Sequence, residues 1–284
     1  MLFDLRSPRR RRTVQVVFGT LAVLFAVSFV FFGIGSEVQG GFGDLIGQGG
    51  GGDSGQEDAI EDAEKALEEN PNDTAALAEL VQLHYQAGTA QIEIDPETQQ
   101  QTVTSDAEQE LLAGADAWDR YLKLSKKQVS SSTALLAVQT FATLAQAKLT
   151  QAASSTGQQA LDDADDSLAN WKGAAAAQQV VAGEKGDADS YATLATMLFF
   201  AGEFDQAEQA TQQAVAAAKG SQGDQLKTEL EGAEKQGREI TTAIEQFRAQ
   251  LQQATAGAPG GATGENPLSG LGGGGLSGGG LTTP

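Results

Sequence analysis

The segment from residue 189 to 219 is the stretch whose apolar spacing most narrowly limits the fold of this chain. Five apolar residues recur three or four positions apart, the spacing that places side chains on one face of an α-helix: Tyr191, Leu194, Ala195, Leu198 and Phe199. Gly202 then suits a tight turn, and Phe204 begins a second run. In that run small residues recur at helical spacing and allow two helices to approach closely: Ala207, Ala210 and Ala214. We therefore predict two helices joined at Gly202.

This helix pair resembles a tetratricopeptide repeat, a helix–turn–helix unit of about 34 residues. The resemblance is carried by an aromatic, leucines, small residues and a turn glycine at the family's spacing: Tyr191, Leu194, Ala195, Leu198, Gly202, Ala207, Thr211 and Ala214. Thr211 stands where the family usually has an aromatic residue, and Lys219-Gly220 replaces the closing proline. These two departures indicate the last repeat of an array.

A second boundary that resembles the same family lies upstream, in the sequence LEENPND at residues 67–73. The helix predicted over 56–70 ends there, because Pro71 disfavours helical geometry in the residue before it. Counting on from Pro71 fills the slots of the next first helix with Leu77, Leu80, Val81, His84 and Gly88. The resemblance implies an all-α fold: a right-handed α-solenoid of about three helix-hairpin repeats over residues 56–256.

The segments between these boundaries are less specific. Apolar faces predict helices over 105–125, 130–153 and 158–181, with Ser105 or Asp106 as the cap of the first, and we interpret the last two as a degenerate repeat. Residues 91–104 alternate isoleucine with polar residues around an Asp-Pro turn. This alternation predicts a short β-hairpin. A polar loop is the alternative, because an isolated two-stranded ribbon is marginal in water.

A long polar helix predicted over 222–256 has apolar residues along one edge. A solenoid must end with a helix that is apolar inside and polar outside, so we interpret this segment as the cap of the array. A coiled coil between two chains is the alternative, although Gly232 and Gly237 interrupt a clean heptad.

An apolar run near the amino terminus predicts one transmembrane helix over residues 13–35. Its 21 residues from 14 to 34, at about 1.5 Å each, span roughly 30 Å, the thickness of the hydrocarbon core of a bilayer. A cleaved secretory signal is the alternative. The run is longer than a usual signal core and no Ala-x-Ala site follows it, which favours an uncleaved anchor.

Basic residues predict the orientation of this anchor. Residues 1–12 contain five arginines, and the first basic residue after the span is Lys65. The amino terminus is therefore expected in the cytoplasm, and the helical domain outside it, in a single-pass protein of the plasma membrane. Glycine-rich composition predicts a flexible linker at 36–55 and a disordered tail at 257–284.

The charge of the chain argues against a nucleic-acid partner. The formal net charge is −20, and 37 acidic side chains against 13 basic ones follow residue 12. Such a body repels phosphate backbones.

The inventory of reactive side chains predicts that the protein is not an enzyme and holds no cofactor or metal. The chain has no cysteine, and its one histidine, His84, occupies a slot that usually holds a packing residue. No glycine-rich stretch has the Gly-Lys-Ser/Thr ending of a phosphate-binding loop. Four nearby aspartates lack the spacing of a calcium loop and point around most of a helix: Asp162, Asp163, Asp165 and Asp166.

The resemblance instead implies a groove, lined by the first helices of successive repeats, that binds protein or peptide partners. Its slots correspond to Gln82, Tyr85, Gln86, Thr196, Phe199 and Phe200. Adjacent aromatic residues on one helix cannot both face the same core, so one of Phe199 and Phe200 is expected either to be exposed for binding or to pack against the degenerate repeat.

The overall plan resembles bacterial single-span, membrane-anchored tetratricopeptide proteins of the cell envelope. It implies an extracytoplasmic adaptor or chaperone-like factor that captures apolar or basic peptide segments near the membrane. The alternative function is a structural or oligomeric scaffold of an envelope complex, a homo-oligomer joined through the helix at 222–256.

Overall fold

A computed structural model of the chain describes residues 53–94, 101–125 and 129–255, together with Leu268. The predicted transmembrane helix at 13–35, the Arg-rich start and most of the linker lie outside the described residues, as does the tail except for Leu268. Within the described ranges, no helix is both long enough and apolar enough to cross a bilayer.

The described residues are 87% helical, which confirms the all-α class. In chain order the helices and strands are α1 (Asp53–Glu69), α2 (Thr74–Ala90), β1 (Ile92–Ile94), β2 (Gln101–Val103), α3 (Ser105–Ser125), α4 (Ser131–Ser154), α5 (Gly157–Lys185), α6 (Ala188–Phe200), α7 (Phe204–Ala217) and α8 (Gln222–Thr255).

Side-chain caps define where several helices begin. The Asp73 carboxylate accepts hydrogen bonds from the N–H groups of Ala75 and Ala76, at 2.9 and 3.1 Å, and starts α2 immediately after Pro71. The cap of α3 differs from the prediction of Ser105 or Asp106. The Thr104 hydroxyl accepts from the N–H of Ala107 at 3.1 Å, because Ser105 and Asp106 already belong to the first turn.

The turn between α6 and α7 lies at the predicted glycine. Gly202 has a φ of +76°, a left-handed conformation that side chains with a Cβ rarely adopt. The N–H groups of Gly202 and Glu203 donate to the carbonyls of Phe199 and Leu198 and so close the end of α6. The two helices of the segment from 189 to 219 therefore pack as an antiparallel hairpin.

Packing follows the order of the chain, since each helix contacts the next one. Contacts between alternate helices join α2 to α4 and α6 to α8. Within the described residues, α4 and α6 do not pack extensively against each other. Helices α4 and α5 are 24 and 29 residues long, longer than half of a repeat of about 34 residues. Substantial contacts between alternate helices are thus confined to these two pairs within the described residues.

The insertion between α2 and α3 contains an antiparallel hairpin. Ile92 pairs with Val103 and Ile94 with Gln101, so the three apolar residues share one face of the ribbon. Val103 packs against the core, whereas the side chain of Ile94 is 56% exposed.

Helix α8 packs along α6, α7 and α5 by a stripe of buried residues spaced four and three apart: Leu226, Leu230, Ala233, Gly237, Ile240, Ile244 and Phe247. Gly237 is itself a buried member of this stripe. A Cβ at Gly237 would lie 2.3 Å from the Phe199 carbonyl oxygen, so the glycine allows the two helices to approach closely. Gly232 is exposed, and a Cβ there would contact no other part of the chain that the structure describes.

One apolar cluster extends from Ala63 and Leu67 on α1 to Phe247 on α8. Leu268 also belongs to this cluster and has no exposed surface.

Candidate functional site

The groove residues predicted on α2 lie on one face of that helix. The side chains of Gln82, Tyr85 and Gln86 are all partly exposed. Tyr85 packs against the apolar cluster, and burial raises the pKa of its hydroxyl. These three positions can contact a partner only through the outer parts of their side chains.

The groove residues predicted on α6 do not form an exposed aromatic surface. Phe199 and Phe200 are 2% and 5% exposed. The Phe200 ring lies 5.2 Å from the ring of Trp171 on α5, and the Phe199 ring lies 6.3 Å from that of Phe204 on α7. Both rings are buried because α6 is covered by α5, α7 and α8. Phe200 therefore packs against the helix pair interpreted as a degenerate repeat, and neither ring is free to contact a partner.

Thr196, the remaining predicted groove residue, is partly exposed, and its hydroxyl donates to the Ala192 carbonyl at 3.0 Å. Within the described residues, α2 and α6 do not pack extensively against each other. The six predicted residues are thus two separate sets rather than one continuous surface.

A different concave surface, which we call the α1–α3 groove, lies between α1, α2 and α3. It is a cavity of about 370 Å³ with nine lining residues: Glu64, Leu67, Glu68, Leu80, His84, Ala113, Asp116, Ala117 and Arg120. Leu67, Leu80, His84 and Ala117 are buried and form its floor. The charged residues are exposed and form its rim.

The α1–α3 groove and the face of α2 predicted from sequence are on opposite sides of that helix. Successive residues of an α-helix turn by about 100°. Leu80 and His84, which line the groove, therefore point roughly 170° away from the mean direction of Gln82, Tyr85 and Gln86. A partner in the groove would not contact the predicted face.

His84 is a packing residue at the floor of the groove. It is 8% exposed, and its Nδ1 lies 2.8 Å from Oε2 of Glu110 on α3. Gly114 provides the space beside it, since a Cβ there would lie 3.2 Å from the Cβ of His84. The ring thus joins α2 to α3 through one polar contact.

A polar network around Lys148 connects α3, α4 and α5. Lys148 Nζ lies 2.6 Å from Oε1 of Glu108 and 3.9 Å from Oδ1 of Asp163. The side chain of Gln151 donates to Glu108 at 2.9 Å and accepts from Lys148 at 3.2 Å. The Ser155 hydroxyl donates to Asp163 at 3.1 Å. This network is largely buried, because the side chains of Lys148, Glu108 and Asp163 are 16%, 18% and 11% exposed.

The network shifts two pKa values in opposite directions. Burial opposes ionisation of Glu108, but hydrogen bonds from Lys148 and Gln151 and the ammonium charge outweigh it and lower the pKa of Glu108. Burial likewise opposes the charge of Lys148, but the hydrogen bond and charge of Glu108, together with the charges of Asp163 and Asp166, raise the pKa of Lys148. Both shifts show that the contacts between Glu108 and Lys148 favour the ionised form of each group.

These shifts predict how the network responds to pH. A carboxyl group whose pKa is lower in the folded state contributes stability above its unfolded pKa and loses it as the pH falls through the folded value. We expect Glu108→Gln to reduce the decrease in unfolding free energy between pH 7 and acid. Denaturant unfolding at several pH values checks this, with Glu203→Gln as the control on a more exposed ion pair. Parallel pH profiles for wild type and Glu108→Gln would contradict it.

No group of three or more His, Cys, Asp or Glu side chains in the described ranges is arranged to hold a metal ion. A larger surface depression, of about 580 Å³, is lined by residues of α8. Among the described residues, no other helix contributes to its lining, which includes Glu234, Arg238 and Gln246.

Comparison of the chain with protein-family models, with curated proteins and with solved structures finds no match.

The sequence contains one signal for the α1–α3 groove, in the spacing of charged residues on α1 and α3. Glu64 and Glu68 are four residues apart on α1, and Asp116 and Arg120 are four residues apart on α3. Such pairs indicate a charged helix face, and a solvated face is the usual interpretation. Only the packing of α1 and α3 on α2 places the two faces around one cavity.

Proposed function

We propose that the protein is a membrane-anchored interaction module that binds peptide segments of other proteins outside the cytoplasm. The α1–α3 groove carries this proposal, because it combines an apolar floor with a charged rim. Peptide recognition uses apolar contacts for affinity and polar groups at the edge for orientation.

The proposal includes a tetratricopeptide-like solenoid. It is supported by the LEENPND boundary before α2, by the turn at Gly202, and by the contacts of α2 with α4 and of α6 with α8. Stacked helix pairs expose long grooves because each pair contacts mainly its neighbours. Helix α8 would cap the array, with its apolar stripe inward.

The scaffold alternative has less support. A dimer through α8 needs an apolar stripe that faces a second chain. Residues along the stripe, including Leu226, Ile240 and Ile244, are instead buried within the chain. Pairing of two chains through this stripe would require α8 to separate from α6.

The proposed anchor predicts a defined labelling pattern, and the absence of cysteine makes the experiment clean. In intact bacterial cells, a membrane-impermeant maleimide should label Ser221→Cys and leave Ser7→Cys unlabelled until the cells are lysed. This follows from an uncleaved span at 13–35 with its basic flank in the cytoplasm. Labelling of Ser7→Cys in intact cells would contradict the orientation.

Peptide binding itself is tested with an array probed by the full chain in mild detergent. The array should contain apolar peptides with basic, acidic or neutral polar residues. We expect the chain to be retained by peptides that combine apolar and basic residues, since the body of the chain carries a large negative charge. Retention by no class of peptide would contradict the proposed function.

A further inference from the structure

We infer that the α1–α3 groove holds one basic side chain, lysine or arginine, from a peptide segment in which an apolar residue lies next to it. This inference rests on the proposed function, and it specifies the chemistry of the partner.

The rim of the groove has an excess of negative charge. It contains three carboxylates, those of Glu64 and Glu68 on α1 and Asp116 on α3, and one guanidinium, that of Arg120. All four side chains are exposed, and none forms an ion pair within 4.0 Å with another described residue. Three carboxylates on two walls of one cavity thus outnumber its guanidinium, and no ion pair among the described residues neutralises them.

The two carboxylates on α1 also repel each other. Glu64 and Glu68 are four residues apart on the same helix, an arrangement of like charges that destabilises a helix. A cation placed between α1 and α3 would relieve this repulsion. An anion would be repelled by the rim and by the net charge of −20 on the chain.

The floor of the groove matches the stem of a lysine or arginine side chain. Leu67, Leu80 and Ala117 are buried apolar residues beneath the charged rim. Lysine and arginine place an aliphatic stem against apolar surface and keep the charged head at a polar edge. A cavity of about 370 Å³ has room for such a side chain together with part of an apolar neighbour.

The test uses a labelled peptide that contains Lys-Leu repeats and the full chain in mild detergent, with binding followed by fluorescence anisotropy. The groove variant is Glu68→Gln with Asp116→Asn. The control variant is Glu208→Gln with Asp224→Asn, which makes the same change in net charge at exposed positions on α7 and α8. All four substitutions replace exposed residues, so both variants should fold.

We expect the groove variant to weaken binding about tenfold, and the control variant less than about twofold, at low ionic strength. A peptide with glutamine in place of lysine should bind the wild type as weakly as the lysine peptide binds the groove variant. Raising the salt concentration should reduce this difference.

Three results would overturn the inference, and they separate it from the proposed function. Equal weakening by the groove and control variants would mean that the field of the whole chain attracts the peptide, rather than the groove. Equal binding of the lysine and glutamine peptides to wild type would show that the groove does not select a cation, although peptide binding stands. Binding of neither peptide would overturn the proposed function as well.

Discussion

Replacing Gly237 by alanine is expected to lower the free energy of unfolding by about 2–3 kcal/mol. The added Cβ would lie 2.3 Å from the carbonyl oxygen and 2.7 Å from the carbonyl carbon of Phe199. Both are backbone atoms, so α8 would have to move away from α6 along its buried stripe. Alanine is intrinsically better in a helix than glycine by about 1 kcal/mol, and the expected loss remains after this gain.

Gly232→Ala is the matched control on the same helix. Beyond the adjoining backbone of α8, no atom of the described residues lies within 4 Å of a Cβ at Gly232, so the substitution should retain the propensity gain and stabilise the protein by up to about 1 kcal/mol. Denaturant unfolding of the full chain in mild detergent, followed by far-ultraviolet circular dichroism, measures both variants. Equal stability of the two variants would show that the close approach of α8 to α6 does not exist.

Replacing Lys148 by methionine is expected to destabilise the fold by about 2–4 kcal/mol. Methionine has a similar length but no charge, so the carboxylates of Glu108 and Asp163 would remain largely buried without their cation. An uncompensated buried charge costs more than the ion pair itself contributes. The loss should shrink in the double variant Lys148→Met, Glu108→Gln, because the second change removes one of the unpaired charges.

Lys172→Met provides the comparison for an exposed ion pair. The side chain of Lys172 is 65% exposed and pairs with Glu203. Exposed pairs contribute from zero to about 1 kcal/mol, so the expected change is below about 0.5 kcal/mol. Equal destabilisation by Lys148→Met and Lys172→Met would contradict a structural role for the Lys148 network.

Helical periodicity was sufficient to predict most of the local structure. The turn at Gly202, the start of α2 after Pro71 and the long helix α8 all lie where spacing and turn residues place them. These signals are local, since apolar spacing, a cap and a left-handed glycine act within a few residues.

Tertiary packing decided what sequence could not. The spacing left open whether one of Phe199 and Phe200 is exposed for binding or packs against the degenerate repeat. The choice depends on how many neighbours α6 has, and α5, α7 and α8 together leave neither ring exposed. The close approach of Gly237 to Phe199 joins residues far apart in the chain, so the spacing within α8 alone does not predict it. The α1–α3 groove likewise combines residues from three helices, whose separate charge patterns predict only solvated faces.

Site-specific photo-crosslinking tests the central claim, peptide binding in the α1–α3 groove, most directly. A photoreactive residue is introduced into the full chain at the position of Arg120, on the rim of the groove, or of Gln86, on the opposite side of α2. Each protein is irradiated with the Lys-Leu peptide, and mass spectrometry quantifies the adduct. We predict a peptide adduct at position 120 and little at position 86. Adduct at position 86 alone, or at neither position, would contradict binding in the groove.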